Sequence, residues 1–189
     1  MVAKLDASDC RAWCRNDDAM LAYHDHEWCK PTHDDRLLFE MLCLEGASVG
    51  LSWATVLHKR QAYRAQFCDF RIDACAGLTD GQLEEALANP GIVRARGKVF
   101  SVRTNAQVVR GIQREFGSFA AYLWGFVDGS PVVGCWERLD QVPTESALSR
   151  RVAADLKRRG ARYVGPVITY SYLQSVGIIN DHLLGCNAR

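Results

Sequence analysis

The chain has 189 residues, of which 48% are hydrophobic and 24% charged, with a net charge of +1. That length fits one domain at roughly 150 residues per domain, and that composition excludes general disorder and a coiled coil. No apolar run approaches the roughly 18–20 residues of a membrane span, and a near-neutral chain must meet any polyanion through a local patch.

The N-terminal stretch MVAKLDASDC lacks the apolar segment of a secretory signal. The expected location is therefore the reducing cytoplasm, where the eight cysteines stay unpaired. Most read as small buried hydrophobes, Cys43 within FEMLCLE in particular. Cys10, Cys14, Cys29 and Cys186 have histidines nearby, a pattern of metal sites or catalytic thiols.

The dominant period is helical. In THDDRLLFEMLCLEGA, Leu37, Leu38, Met41, Leu42 and Glu45 share one broad helix face. Thr32 and Asp35 form a start signal and Gly46 a stop. A second helix is predicted from about Ser52 through WATVLHKRQAYRAQF. Thr79 and Gln82 spell a T-x-x-Q capping box before LEEALA, which Asn89-Pro90 ends. The next helix is predicted from near Lys98 through VFSVRTNAQVVRGIQREF, and Ser118 opens a short aromatic one, FAAYLWGFV. Gly and Pro punctuate residues 128–143, which read as loop. Leu148, Val152 and Leu156 mark a helix ringed by Arg150, Arg151, Lys157, Arg158 and Arg159, with Gly160 as its C′ residue. The last helix is predicted over TYSYLQSVGIINDH. Strand-like alternation is confined to scraps such as RYVGPVITY, and no repeat is present, so the expected class is all-α.

Residues 89–98 place two glycines around a short apolar-basic turn between helices. Gly91 and Gly97 permit positive φ and close backbone approach. The N–H groups of such a turn, with the next helix's N-terminus, suit a phosphate, and Arg94, Arg96 and Lys98 add local charge. The segment resembles a helix-hairpin-helix element; the alternative is an ordinary αα-turn with solvated basic residues. Many glycosylases of that superfamily pair a Lys at the Lys98 position with an Asp further along, yet residues 103–127 contain no Asp. Schiff-base chemistry is therefore not expected.

MLAYHDHEW (20–28) and LEGASVGLSWATVLHKR (44–60) bring Tyr23, Trp28 and Trp53 into range of one acid, Glu45, on an apolar helix face. An aromatic box with a single carboxylate suits a planar, cationic base. The alternative is that the tryptophans are core and Glu45 caps a local loop. His182-x-x-x-Cys186 is an i, i+4 pair at a helix end, and one further His and Cys would complete a tetrahedral set. Spacing leaves His24 and His26, Cys10 and Cys14, and a local Cys29–His33 pair open, as well as a satisfied core His182.

AYHDHEW, LFEMLCLEGASVGLSWATVLHKR, PGIVRARGK, RRGARYVGPVITYSYLQSVGIINDH and HLLGC together span nearly the whole chain. They resemble the DNA-3-methyladenine glycosylase I family, and the L-E-G-x-x-x-G-L-S-W stretch is long and specific. The resemblance implies a compact all-helical fold with a helix-hairpin-helix element and one structural zinc ion joining the termini. It implies a lobe of residues 1–35 with 160–189 and a helix-hairpin-helix lobe of residues 36–159. Carried over by position, the base-recognition acid is Glu45 and the stacking aromatics are Tyr23, Trp28 and Trp53. The duplex-wedging loop is Gly50-Leu51, and the zinc ligands are His24, His182, Cys186 and an N-terminal cysteine. Three departures stand out. Cys29 replaces a usual glycine, Met20 a usual aromatic, and Arg11 occupies the ungapped cysteine position. Cys10 is preferred to Cys14, because a flexible terminus absorbs a one-residue bulge.

The implied activity is hydrolysis of the N-glycosidic bond of 3-methyladenine in alkylated double-stranded DNA by a monomer without lyase activity, needing no protein partner and no membrane. The competing readings are a non-catalytic lesion-binding protein and a glycosylase of altered alkylbase specificity.

Overall fold

The structure, a computed structural model, describes residue 6 and residues 8–189. Among the described residues ten α-helices follow in order: α1 (Asp18–His26), α2 (Asp35–Ser48), α3 (Trp53–Leu57), α4 (Arg60–Gln66), α5 (Ile72–Ala76), α6 (Asp80–Ala86), α7 (Arg96–Phe116), α8 (Phe119–Trp124), α9 (Ala147–Arg158) and α10 (Pro166–Ser175). Among the described residues the only sheet is a two-residue parallel pairing of β1 (Val132–Val133) with β2 (Ile179–Asn180).

The chain is organised around α7. Val99, Val102, Ala106, Val109 and Ile112 fall at helical spacing on one face and are each at most 2% exposed. Full burial of such a side chain contributes about 1.5–3 kcal/mol. That face packs on α2, α5 and α8, and one apolar cluster runs from Tyr23 through α2 and α7 to Ile179.

Local chemistry sets the helix ends. The Thr79–Gln82 capping box forms in both directions. Asp34, rather than Thr32 or Asp35, is the N-cap of α2, accepting from Leu37 N. Asp35 instead accepts from Phe119 N and Ala120 N and so caps α8 from a distance. Gly46 does not end α2, which continues to Ser48.

Two predicted helices are cut short. The one expected from Ser52 breaks at His58–Lys59 into α3 and α4. The last ends at Ser175, where Gly177 takes φ +73°, and Ile179–Asn180 turns to pair with β1. A Cβ on Gly177 would stand 2.2 Å from the Lys30 and Pro31 backbone, so only glycine fits that crossing.

A buried ion network fixes α1, α2 and α4 together. Glu40 is fully buried and accepts from Arg60 Nε at 2.6 Å and Arg64 Nε at 2.8 Å. Arg60 also donates to Glu27 at 2.6 Å. These contacts satisfy a carboxylate that would otherwise be costly to bury, and they set α1 against α2.

Candidate active site and metal centre

A cavity of about 550 Å³ opens where α1, α2, α3 and α10 converge. Its aromatic lining comes from Trp13, Tyr23, Trp28 and Trp53, with Tyr170 beside them. Trp13 and Trp28 meet edge to face with centroids 5.3 Å apart, and Tyr23 and Trp53 are tilted at 5.2 Å. Trp13 and Tyr23 also meet edge to face at 6.5 Å, so the four rings form one continuous lining.

Glu45 enters this space from α2. It is 5% exposed, and burial alone pushes its carboxyl up to about 8, with no hydrogen bond or positive charge to offset it. The loop-capping alternative is not what the structure shows; among the described residues no partner engages the Glu45 carboxylate. Tyr23 lies close enough for Glu45 to help raise its phenol, after burial as the main cause.

Gly50 and Leu51 stand on the rim. Gly50 takes φ +76°, and Leu51 is 44% exposed, an apolar side chain projecting into solvent beside the cavity. Lys98 supports this rim from below: its ammonium donates to Ala47 O at 2.8 Å and Val49 O at 2.5 Å, at the C-terminal end of α2. Burial pulls its pKa below the ordinary value. Arg96 is paired with Glu84 and stacked over Phe100 at 4.0 Å, whereas Arg94 is exposed. Gly91 and Gly97 are not in the positive-φ region, contrary to one expectation. Both serve close approach: a Cβ on Gly91 would stand 2.7 Å from Ala62 Cβ, and one on Gly97 2.3 Å from Tyr163 Oη.

A second hairpin escaped the sequence reading. It joins α9 to α10 through residues 159–165, with Gly160 at φ +98°, Gly165 as the N-cap and Pro166 opening α10. Arg150, Lys157 and Arg162 line a groove beside it. The buried Asn105 amide brackets this hairpin, accepting from Arg162 N at 2.8 Å and donating to Arg162 O at 3.2 Å. Tyr163 then packs against Gly46 and Gly97, linking the two hairpins to α2. Its signal was present: two glycines five residues apart, the second preceding a proline, after a basic helix.

The cavity also has residues the sequence reading passed over. Val167, Tyr170, Ser171 and Gln174 recur at i, i+3, i+4 and i+7, a helical face that reads equally well as core. Trp13 had no periodic context.

Behind the aromatic wall, Cys10, His24, His182 and Cys186 place one ligand atom each within 4.8 Å of one another. The four sulfur–nitrogen separations are 3.2, 3.6, 3.9 and 3.5 Å. Tetrahedral coordination with metal–sulfur bonds of 2.3 Å and metal–nitrogen bonds of 2.0–2.1 Å calls for about 3.6 Å. Both imidazoles are held from outside. His24 Nδ1 contacts Asp25 at 2.8 Å, and His182 Nε2 contacts Trp28 O at 3.2 Å. Arg11 holds Asp25 in turn, at 2.6 Å. Cys14 turns away to Met20 O, and His26 and Cys29 are not in the cluster. Burial and the neighbouring His24 pull His182 down to about 4, keeping it in the neutral form that binds metals.

The methyladenine glycosylase family model matches residues 13–189. The chain belongs to this family. DNA-3-methyladenine glycosylase 1 of Escherichia coli K12 is 39% identical over 174 residues, covering 92% of this chain and 93% of the relative. A structure of 3-methyladenine DNA glycosylase I from Staphylococcus aureus superposes with a TM-score of 0.93 at 33% identity, covering 97% of each chain. A further structure of 3-methyladenine DNA glycosylase I, in complex with 3-methyladenine, gives a TM-score of 0.90 at 34% identity, covering 92% and 93%. Against that family, Cys29 has a physical consequence. It takes φ +62°, which favours glycine, and sits 1% exposed with Asp181 N donating to its thiol at 3.4 Å. Met20 is buried and does not line the cavity.

Proposed function

We propose that the protein excises 3-methyladenine from alkylated double-stranded DNA, leaving an abasic site. The observation that carries this reading is Glu45, a buried carboxyl without a partner inside an aromatic cavity. A carboxylate so placed is unfavourable until a cation arrives. Methylation at N3 makes adenine cationic in the nucleotide, so the flipped lesion supplies both the charge and the planar face. Trp53, Tyr23, Trp13 and Trp28, in tilted or edge contact with one another, supply the aromatic faces and edges that would hold the base. Near neutral pH burial keeps Glu45 largely protonated in the empty cavity; as the cation enters, the carboxyl gives its proton to solvent and ionises against it. Its negative charge then favours the lesion over neutral adenine. The C1′–N9 bond breaks with its electron pair passing to the base, which leaves neutral. Water adds at C1′ and yields its proton to solvent.

The leaving group carries its own charge, so no strong acid is required. Lys98 is engaged with two carbonyls, which supports hydrolysis without a Schiff base and hence without lyase activity. Leu51 would enter the gap left by the flipped nucleotide, with Gly50 permitting the turn. The 160–165 hairpin, with Lys157, Arg162 and the N-terminus of α10, suits the phosphate backbone beside the cavity better than residues 91–98, where Arg96 and Lys98 are already occupied. The hairpin of residues 89–98 would be the helix-hairpin-helix element of the lobe of residues 36–159, and the 160–165 hairpin would join that lobe to the terminal one.

Zinc fits the Cys10–His24–His182–Cys186 set, since two thiolates and two imidazoles make a closed structural site. Bound there, it supplies a cross-link between the termini and no chemistry. His24 and His182 each pack against Trp28, so the cluster holds one wall of the cavity in place. We further propose that the protein acts as a monomer in the cytoplasm, without a protein partner.

A duplex carrying 3-methyladenine should quench the tryptophan fluorescence saturably, with the unmethylated duplex far weaker. Equal response to both duplexes would overturn the assignment.

A further inference from the structure

One wall of the cavity is not built by the four converging helices. Leu139, Val142, Pro143 and Thr144 face the space from the strap that joins β1 to α9. Past Trp136 the hydrogen bonds of this strap are its own. Gln141 Oε1 accepts from Glu137 N at 2.9 Å and Arg138 N at 3.0 Å, and Arg138 pairs with Asp140 at 2.7 Å. Gln141 N and Val142 N donate back to Arg138 O and Leu139 O. Among the described residues no hydrogen bond ties residues 137–144 to the body, so the ends of the strap decide where this wall stands.

The leading end is densely anchored. Val132 N donates to Ile178 O at 2.9 Å and Gly134 N to Asn180 O at 2.8 Å. Trp136 is held twice: Leu184 N donates to its carbonyl at 2.8 Å, and its indole Nε1 donates to Asp181 Oδ1 at 2.7 Å. Asp181 is buried and also accepts from Tyr170 and Gln174, so α10 fixes its place. Gly134 has no positive φ to explain it. A Cβ there would collide with Trp136 Nε1 and Asp181 Oδ1, the two atoms of this bond. Glycine is required where the indole reaches across the backbone to the carboxylate. Leu184 lies between His182 and Cys186, so the wall hangs on the segment that carries two of the proposed metal ligands. Resting on the base-pocket reading above, we propose that Trp136 is a positioning residue for excision: its bond to Asp181 latches the strap, so that Leu139, Val142, Pro143 and Thr144 close one side of the cavity. Trp136 does not itself line the cavity. The latch therefore governs how firmly the flipped nucleotide is retained and leaves bond cleavage unaltered.

The test uses the full chain and two variants that break the same bond from opposite sides. Trp136→Phe keeps an aromatic ring and removes the donor; Gly134→Ala keeps the indole and pushes a methyl group into the bond. In hydrogen exchange without DNA, the amides of Glu137, Arg138, Gln141 and Val142 should exchange about tenfold faster in both variants, with those of α2 and α7 unchanged. On a duplex carrying 3-methyladenine, KM should rise about tenfold while kcat stays the same. A fold that is merely destabilised lowers the active fraction, and so kcat, and leaves KM in place. Unchanged strap exchange in either folded variant would overturn the inference. So would faster exchange with an unchanged KM, or a fall in kcat alone. A wild type that releases no methylated adenine would instead overturn the base-pocket reading, and strap exchange would still decide whether Trp136 is the latch.

Discussion

Replacing Glu45 by glutamine should raise stability and lower activity together. The carboxyl has an ordinary value of 4.5 in the unfolded chain and about 8 in the folded one. A group whose folded pKa is raised by burial destabilises the fold wherever the unfolded chain would ionise it, because the folded state must then hold the proton or bear the buried charge. The penalty is absent below pH ~4.5, grows by about 1.4 kcal/mol per pH unit, and levels off above pH ~8. Glutamine keeps the shape and cannot ionise. The stability gap between variant and wild type should therefore widen by about 3 kcal/mol between pH 5 and pH 7.5, read by urea unfolding. For a chain of this size, that corresponds to roughly 2–4 °C in Tm per kcal/mol. Excision of 3-methyladenine should fall about 10–100-fold, because a charge-assisted contact to the cationic base becomes a neutral one. Binding to an abasic duplex, which has no base to meet Glu45, should be nearly unchanged. A variant with full excision activity and a stability gap independent of pH would refute the reasoning. It would leave stacking and strain as the sources of catalysis.

Metal analysis should give about one zinc per chain, and Cys186→Ser should lower thermal stability far more than affinity for free 3-methyladenine; metal-free protein of unchanged stability would defeat the cross-link. Neutralising Lys157 and Arg162 should weaken binding to damaged and undamaged duplex alike and flatten the salt dependence, as phosphate contacts do. Lys98→Met should instead leave undamaged-duplex affinity nearly intact and reduce excision, because it frees the end of α2 below Gly50-Leu51. Borohydride should trap no covalent DNA adduct. Trp53→Ala should weaken retention of the free base by ~1–3 kcal/mol, the worth of one base–aromatic stack.

The parts of this protein legible from sequence are those written in periodicity and local chemistry. The α7 stripe and the Thr79 capping box need only neighbours three or four residues away. The cluster of Cys10, His24, His182 and Cys186 spans the chain and came from resemblance, because spacing alone left His26 and Cys14 open. What stayed illegible depends on contacts between distant segments. Gly177 ends its helix because the Lys30–Pro31 backbone crosses there, and nothing near residue 177 records that crossing. Lys98 is basic and follows a glycine, so it reads as a phosphate ligand until Ala47 O and Val49 O are seen beside it. Gln174 looks like any polar helix residue until Asp181 fixes its amide. Arg11 looked like a missing ligand, and its actual partner is Asp25, which orients His24.

We propose that the aromatic cavity with Glu45 removes a methylated adenine from DNA. The most direct measurement incubates purified protein with alkylated duplex DNA and separates the bases set free in solution. The expected result is release of 3-methyladenine with an equal number of abasic sites in unbroken strands, and a large loss of that release with Glu45→Gln. Protein that binds the alkylated duplex through its hairpin and sets no methylated adenine free would contradict it.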